Sequence, residues 1–221
     1  LTIERPTPSL LLTLQSTREP ISIPGQNVSW PLTVKNDGNL ADAFAIESSS
    51  DCEMQLSGER IDSLQISARS TITSTSLICA IPTDILAGRY TRSVTLTSAL
   101  DDGMSSSLEM SWLVDSTALP GQSAFTLQRS GSGSIDIADN SVIVLTFTLD
   151  SNMNSDATIQ WVVEGDLTGL EIGWHGSSTD LAVVDESITS FSSSTKSLTI
   201  RRSEATLSGD SRIIISASLT V

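Results

Sequence analysis

The sequence predicts an all-β protein built as two tandem β-sandwiches. Three observations carry that expectation. Apolar and polar residues alternate along most of the chain, while the spacing of an amphipathic helix is nearly absent. Turn-forming residues break these runs at short intervals. Blocks also recur: Leu12-Thr-Leu-Gln15 is echoed by Phe125-Thr-Leu-Gln128, Asp42-Ala43 by Asp156-Ala157, and Leu86-Ala-Gly88 by Leu207-Ser-Gly209. A repeat near the length of one sandwich means two copies of one module. At 221 residues the chain has room for two cores of ordinary size.

In the first copy, strands are expected near 9–15, 28–35, 42–48, 53–57, 61–67, 70–80, 89–98 and 105–114. Val28, Trp30, Leu32 and Val34 share one face of their run. Pro31 falls on the other face and, having no N–H to donate, argues for an edge or a bulge. Leu108, Met110, Trp112 and Val114 form the inner row of the last strand. Asp101-Asp-Gly103 predicts the turn of a hairpin, and Lys35-Asn-Asp-Gly-Asn39 a tight turn. In the second copy, strands are expected near 124–128, 142–150, 157–164, 170–174, 181–184, 196–201 and 211–221. Ile143, Leu145, Phe147 and Leu149 supply one inner row, and Ile213, Ile215, Ala217 and Leu219 another.

The domains are expected at 1–116 and 117–221, with residues 1–8 read as the end of a preceding repeat. The short joint Asp115-Ser-Thr-Ala-Leu-Pro-Gly121 implies a restricted relative geometry. Aligned by strands, the run after Gly88 matches the run after Gly209. The first copy then adds Ser105 to Val114; the second has no counterpart within these residues. A sandwich without that strand leaves an open edge and an uncovered strip of core. Three readings follow: a window from a longer array, a strand supplied by another chain, or two divergent sandwiches that do not align strand for strand.

Composition narrows the function classes. The net charge is -14, from 26 acidic and 12 basic residues. Nucleic acid and anionic membrane surfaces are disfavoured partners, because phosphate binding needs a basic stripe. No run approaches the roughly 20 apolar residues that span a bilayer, so no direct membrane insertion is expected. Forty Ser and 24 Thr suit the exposed faces of pleated strands.

The first copy carries a further layout. Pro24-Gly25 opens a strand ending Leu32-Thr-Val-Lys-Asn-Asp-Gly-Asn39, then come Asp42-Ala-Phe-Ala-Ile46, Ile81-Pro82 and Ala87-Gly88-Arg89-Tyr90. Over residues 20–98 this resembles the Ig-like modules of the CARDB and alpha-galactosidase-associated kind, found on prokaryotic surface and secreted proteins. The resemblance implies an Ig-like β-sandwich acting as a spacer or binding module, with no catalytic set to carry over. The second copy departs from it, with Asn152-Met-Asn-Ser155 in place of the Asn-Asp-Gly turn.

Several residues are candidates for chemistry. Cys52 and Cys79, the two cysteines, predict one disulfide in an oxidising place. Asn27-Val-Ser29 is a glycosylation sequon. Asp115 and Asp139, flanking the joint, are the candidate oxygen ligands for Ca²⁺; Asp101-Asp102 and Asp180 with Asp185-Glu186 are weaker ones. Trp174, between Gly173 and His175, reads as an exposed stacking surface for a sugar, while Trp30, Trp112 and Trp161 read as core. The single histidine, His175, cannot build a multi-histidine zinc site. The expected function is a non-catalytic, extracellular structural or assembly segment of a larger cell-surface or filament protein. Its expected partners are neighbouring Ig-like domains or identical subunits. The alternatives are a carbohydrate- or ligand-binding accessory module, and a filament subunit assembled by strand donation.

Overall fold

A computed structural model describes residues 7–130, 141–174, 183–202 and 213–220. Every element in it is a β-strand. The chain divides into two compact units, Leu1–Ser116 and Thr117–Val221, each with its own apolar cluster.

In the first unit one sheet has the order β1 (Leu10–Leu14), β3 (Asn27–Asn36), β8 (Ser70–Ala80), β5 (Cys52–Leu56), β6 (Glu59–Ile61). The other runs β2 (Ile21–Ser22), β10 (Ser105–Val114), β9 (Gly88–Ser98), β4 (Asp42–Ser48), β7 (Ser63–Ile66). In the second unit the sheets are β11 (Phe125–Arg129), β12 (Val142–Ser151), β16 (Ser193–Arg202), β14 (Leu170–Trp174), and β15 (Val183–Ile188), β13 (Ala157–Gly165), β17 (Ile213–Thr220). The orders superimpose: β1-β3-β8-β5 on β11-β12-β16-β14, and β9-β4-β7 on β17-β13-β15. Among the described residues β2, β6 and β10 have no counterpart in the second unit. The fold is therefore two Ig-like sandwiches, and among the described residues the second shows no strand in the place of β10.

Register fixes the correspondence residue by residue. Trp30 faces Leu77 as Leu145 faces Leu198, and Met54 faces Leu77 as Trp174 faces Leu198. Leu12 faces Val34 as Leu127 faces Leu149, so β11 sits two residues further along than the echoed Phe125-Thr-Leu-Gln128 suggests. The inner rows exclude water: Leu32, Val34, Leu77, Val94 and Leu96 are fully buried. Each such side chain stabilises its unit by about 1.5–3 kcal/mol relative to exposure.

Pro31 marks a bulge rather than an edge. Its strand, β3, lies between β1 and β8, and the pairing slips between Leu32 and Val34. The amide of Gln15 donates to the Leu32 and Thr73 carbonyls, and Thr75 Oγ1 also donates to the Leu32 carbonyl. The irregular backbone is thereby satisfied, as buried peptide groups require.

The turn after β3 leads across to the other sheet rather than into a hairpin, and buried Asn36 holds it. The Asn36 amide donates to the Leu40 and Ile66 carbonyls and its oxygen accepts from the Gly38 N–H. A Cβ on Gly38 would meet the Thr7 carbonyl oxygen at 2.7 Å, so only glycine fits. The second unit repeats the plan with different residues. Asn39 Oδ1 accepts from the Thr7 N–H, and Asn154 Oδ1 from the Thr117 N–H. Arg69 and Phe191, both in the left-handed region, donate their N–H groups to Gly38 and Met153. The Asn-Asp-Gly motif is lost but its backbone geometry is kept.

Several strands differ from expectation: β2 was not expected, and the run expected as one strand at 61–67 is split between β6 on one sheet and β7 on the other. β15 runs to Ile188, and β16 starts at Ser193 within a Ser-Thr run that has no apolar alternation. Ladder pairing of Ser193 and Ser194 with Asp150 and Leu149 recruits that run. The predicted Asp101-Asp-Gly103 hairpin joins β9 to β10, with the Met104 N–H donating to the Asp101 carbonyl.

Candidate functional site

Cys52 and Cys79 form a disulfide. They are direct partners on adjacent strands β5 and β8, so the bond lies within one sheet rather than between the two. Ile172 and Ile200 occupy the same place in the second unit. The bond indicates an oxidising compartment. Asn27 is exposed at the first position of β3. Asp115 is exposed, and its backbone N–H donates to the Ser22 carbonyl. Asp139, Asp180 and His175 lie outside the described residues. Among the described residues no three acidic, His or Cys side chains converge as a metal site would require.

Trp174 requires a correction. It is only 1% exposed, and its ring lies 5.5 Å from that of Trp161 and 6.2 Å from that of Phe147. It fills the place that Met54 holds in the first unit: Met54 pairs with Leu77, and Trp174 with the equivalent Leu198. The neighbouring glycine read as a sign of an exposed loop, but Gly173 is a residue of β14. A ring so enclosed offers no face to a sugar.

Two polar clusters were not singled out from sequence. In the first unit Arg92 makes a bidentate pair with Asp51, with Nη2 and Nε at 2.7 and 2.9 Å from Oδ2. The Arg92 guanidinium also lies 5.3 Å from the Trp112 ring centre, a cation–π contact. Hydrogen bonds from Arg92 hold the Asp51 carboxyl below its ordinary range, against the upward push of burial. Asp51, Arg92, Ser49 and Glu109 line an open polar hollow. The signal was present: Arg92 interrupts the inner row of Val94 and Leu96.

In the second unit Glu186 accepts from Trp161 Nε1 at 3.0 Å and from Ser194 Oγ, and pairs with Lys196 at 3.2 Å. Burial pushes its pKa up, but Ser194, Lys196 and Trp161 together hold it below the usual carboxylate range. Each carboxylate anchors a buried tryptophan or the arginine that covers one. Their partners are spent on holding the sandwich together.

The remaining feature is the outer edge of β17. In the first unit β10 pairs with β9 along its whole length and also touches β1 on the facing sheet. Beneath it Val94 and Leu96 are fully buried and Leu12 is 5% exposed. In the second unit Leu127, equivalent to Leu12, is 41% exposed, and Leu219 is 44% exposed. Ile213, Ile215 and Ala217 are only partly covered. Among the described residues no strand pairs with the outer side of β17.

No protein-family model matches the chain, and no curated protein matches it in sequence. Solved structures resemble it at low identity. A protein of unknown function from Porphyromonas gingivalis is 14% identical, with a TM-score of 0.37, over 86% of this chain and 83% of that one. The CsuC–CsuE chaperone–tip adhesion subunit complex of Acinetobacter baumannii Csu pili gives 8% identity and a TM-score of 0.39, over 96% and 100%. The secreted serine protease VesC of Vibrio cholerae gives 9% and 0.30 over 95% of this chain, which spans 50% of the protease. Likeness at this level carries no argument about activity or partners.

Proposed function

We propose that the chain is a non-catalytic extracellular segment of a larger cell-surface protein, in which tandem modules of the CARDB-like kind act as spacer and assembly unit. The observation that supports this reading is the repetition of one strand plan in two adjacent units, each with its own core. Repeated self-contained sandwiches add length and stiffness without needing a shared active site. The disulfide and the acidic, Ser- and Thr-rich surface fit the outside of a cell. The mechanism is geometric: the sandwiches carry load and set spacing, and their edges set what they join. The carbohydrate-binding alternative loses its main residue with the burial of Trp174. Antibodies raised against the 221-residue chain should label intact cells of the source organism without permeabilisation. Labelling that appears only after lysis overturns the surface reading.

A further inference from the structure

We propose that Asn27 carries an N-linked glycan, added through the sequon Asn27-Val28-Ser29 by a transferase that draws on a lipid phosphate-linked oligosaccharide. The proposal rests on the extracellular reading, because such transfer takes place on chains that leave the cytoplasm.

The sequence supplies the motif and the fold presents it. Asn27 opens β3, so Asn27 and Ser29 share the outer face of their sheet while Val28 and Trp30 point into the core. Both outer residues are exposed, and among the described residues neither side chain is tied up in a hydrogen bond. The residue opposite Asn27 on β8 is Ala80, small and exposed. On the other side β1 pairs with β3 only from Leu32 to Asn36, so the sequon lies beyond the end of that ladder. The second unit shows how open this place is. The pairs Trp30↔Leu77 and Leu145↔Leu198 set Val142 on the place of Asn27 and Val144 on that of Ser29. These valines are 55% and 59% exposed. Apolar side chains gain by leaving water, so two that stay in it mark positions the sandwich plan leaves bare. In the first unit the same two positions hold the acceptor amide and the hydroxyl that the transferase reads. In the transfer the bond from Asn27 Nδ2 to the anomeric carbon forms, and the bond from that carbon to the lipid phosphate oxygen breaks. The phosphate leaves with the electron pair, and Nδ2 gives up one proton. Transfer precedes the docking of β3 on β8, and the loaded strand then folds without disturbing the inner row, because the bulky, hydrated glycan stands on the outer face. The disulfide of the same unit indicates the oxidising compartment in which a secreted chain folds.

The test isolates the protein from its source organism and digests it with trypsin. Cleavage after Arg18 and Lys35 releases Glu19–Lys35, in which Asn27 is the sole asparagine. That peptide should be heavier than its sequence by whole sugar residues, and fragmentation should place them on Asn27. Asn27→Gln and Ser29→Ala, expressed in the same organism, should each return the peptide to the mass of its sequence, while Ser29→Thr should keep the sugars. Both side chains are exposed, so the variants fold and can be recovered. A peptide found only at its unmodified mass overturns the proposal. Sugars that persist in Asn27→Gln overturn it too, since they then sit on a Ser or Thr hydroxyl. The glycan and the surface reading fail separately. Labelled intact cells with a bare Asn27 remove the glycan alone, and sugars on Asn27 without surface labelling uphold the glycan and remove the cell-surface reading.

Discussion

Replacing the disulfide by valines tests how the first unit is held together. Cys52 and Cys79 are separated by 27 residues and face each other across β5 and β8. Closing a loop of that length removes denatured-state freedom that stabilises the fold by about 3.5 kcal/mol at 25 °C in the chain-entropy model. The double variant Cys52→Val with Cys79→Val keeps an apolar pair at the site, as Ile172 and Ile200 do in the second unit. It should therefore fold, losing the loop term and little of the packing. For a unit of this size the loss lowers the Tm by about 15 °C. Calorimetry with and without reductant reads it, because only the first unit's transition responds to reduction of the wild-type chain. In the double variant that transition should sit low and ignore reductant. A loss under about 1 kcal/mol would refute the loop argument. Alkylation of both thiols in denatured, unreduced protein would refute the bond itself.

Two further outcomes follow from the second unit. Trp174→Ala empties a core site between Trp161 and Phe147 and should cost about 3–5 kcal/mol, read as an earlier reductant-insensitive transition in the same calorimetric scan. A near-unchanged transition would return Trp174 to the surface. The second sets acid sensitivity through Glu186, whose carboxyl is held below its ordinary value near 4.5. A carboxyl depressed by folding adds stability that is fully present above its unfolded pKa and is lost as pH falls through the folded one. The second unit should hold a steady stability above about pH 5 and lose it below 4.5, and Glu186→Gln should flatten that loss in denaturation series run across the range. An unchanged acid arm in Glu186→Gln would show that the Trp161–Ser194–Lys196 contacts do not favour the ionised form.

The alternation of Val28, Trp30, Leu32 and Val34, or of Leu145, Phe147 and Leu149, already named which side chains are buried, because a strand's faces are fixed by a period of two. The disulfide was legible for a related reason: two cysteines on separate strands of one module have few other fates. Trp174 was not legible. Its row holds just Ile172 and Trp174 on the inner face, too short for a periodicity, and glycine beside it reads as a loop. The Arg92–Asp51 and Glu186–Lys196 pairs were invisible because their members lie on different strands, whose pairing and facing no local pattern records.

By itself the sequence determined the all-β class and the duplication, because each rests on local periodicity and on recurring runs. Only the tertiary structure decided which residues of the two units correspond. Strand pairing placed Ile172 on the site of Cys52, Trp174 on that of Met54 and Leu127 on that of Leu12. Register is a long-range property, set by which inner rows meet across the sandwich, and no local pattern records it. That register sets Leu127, 41% exposed, on the place where Leu12 is buried.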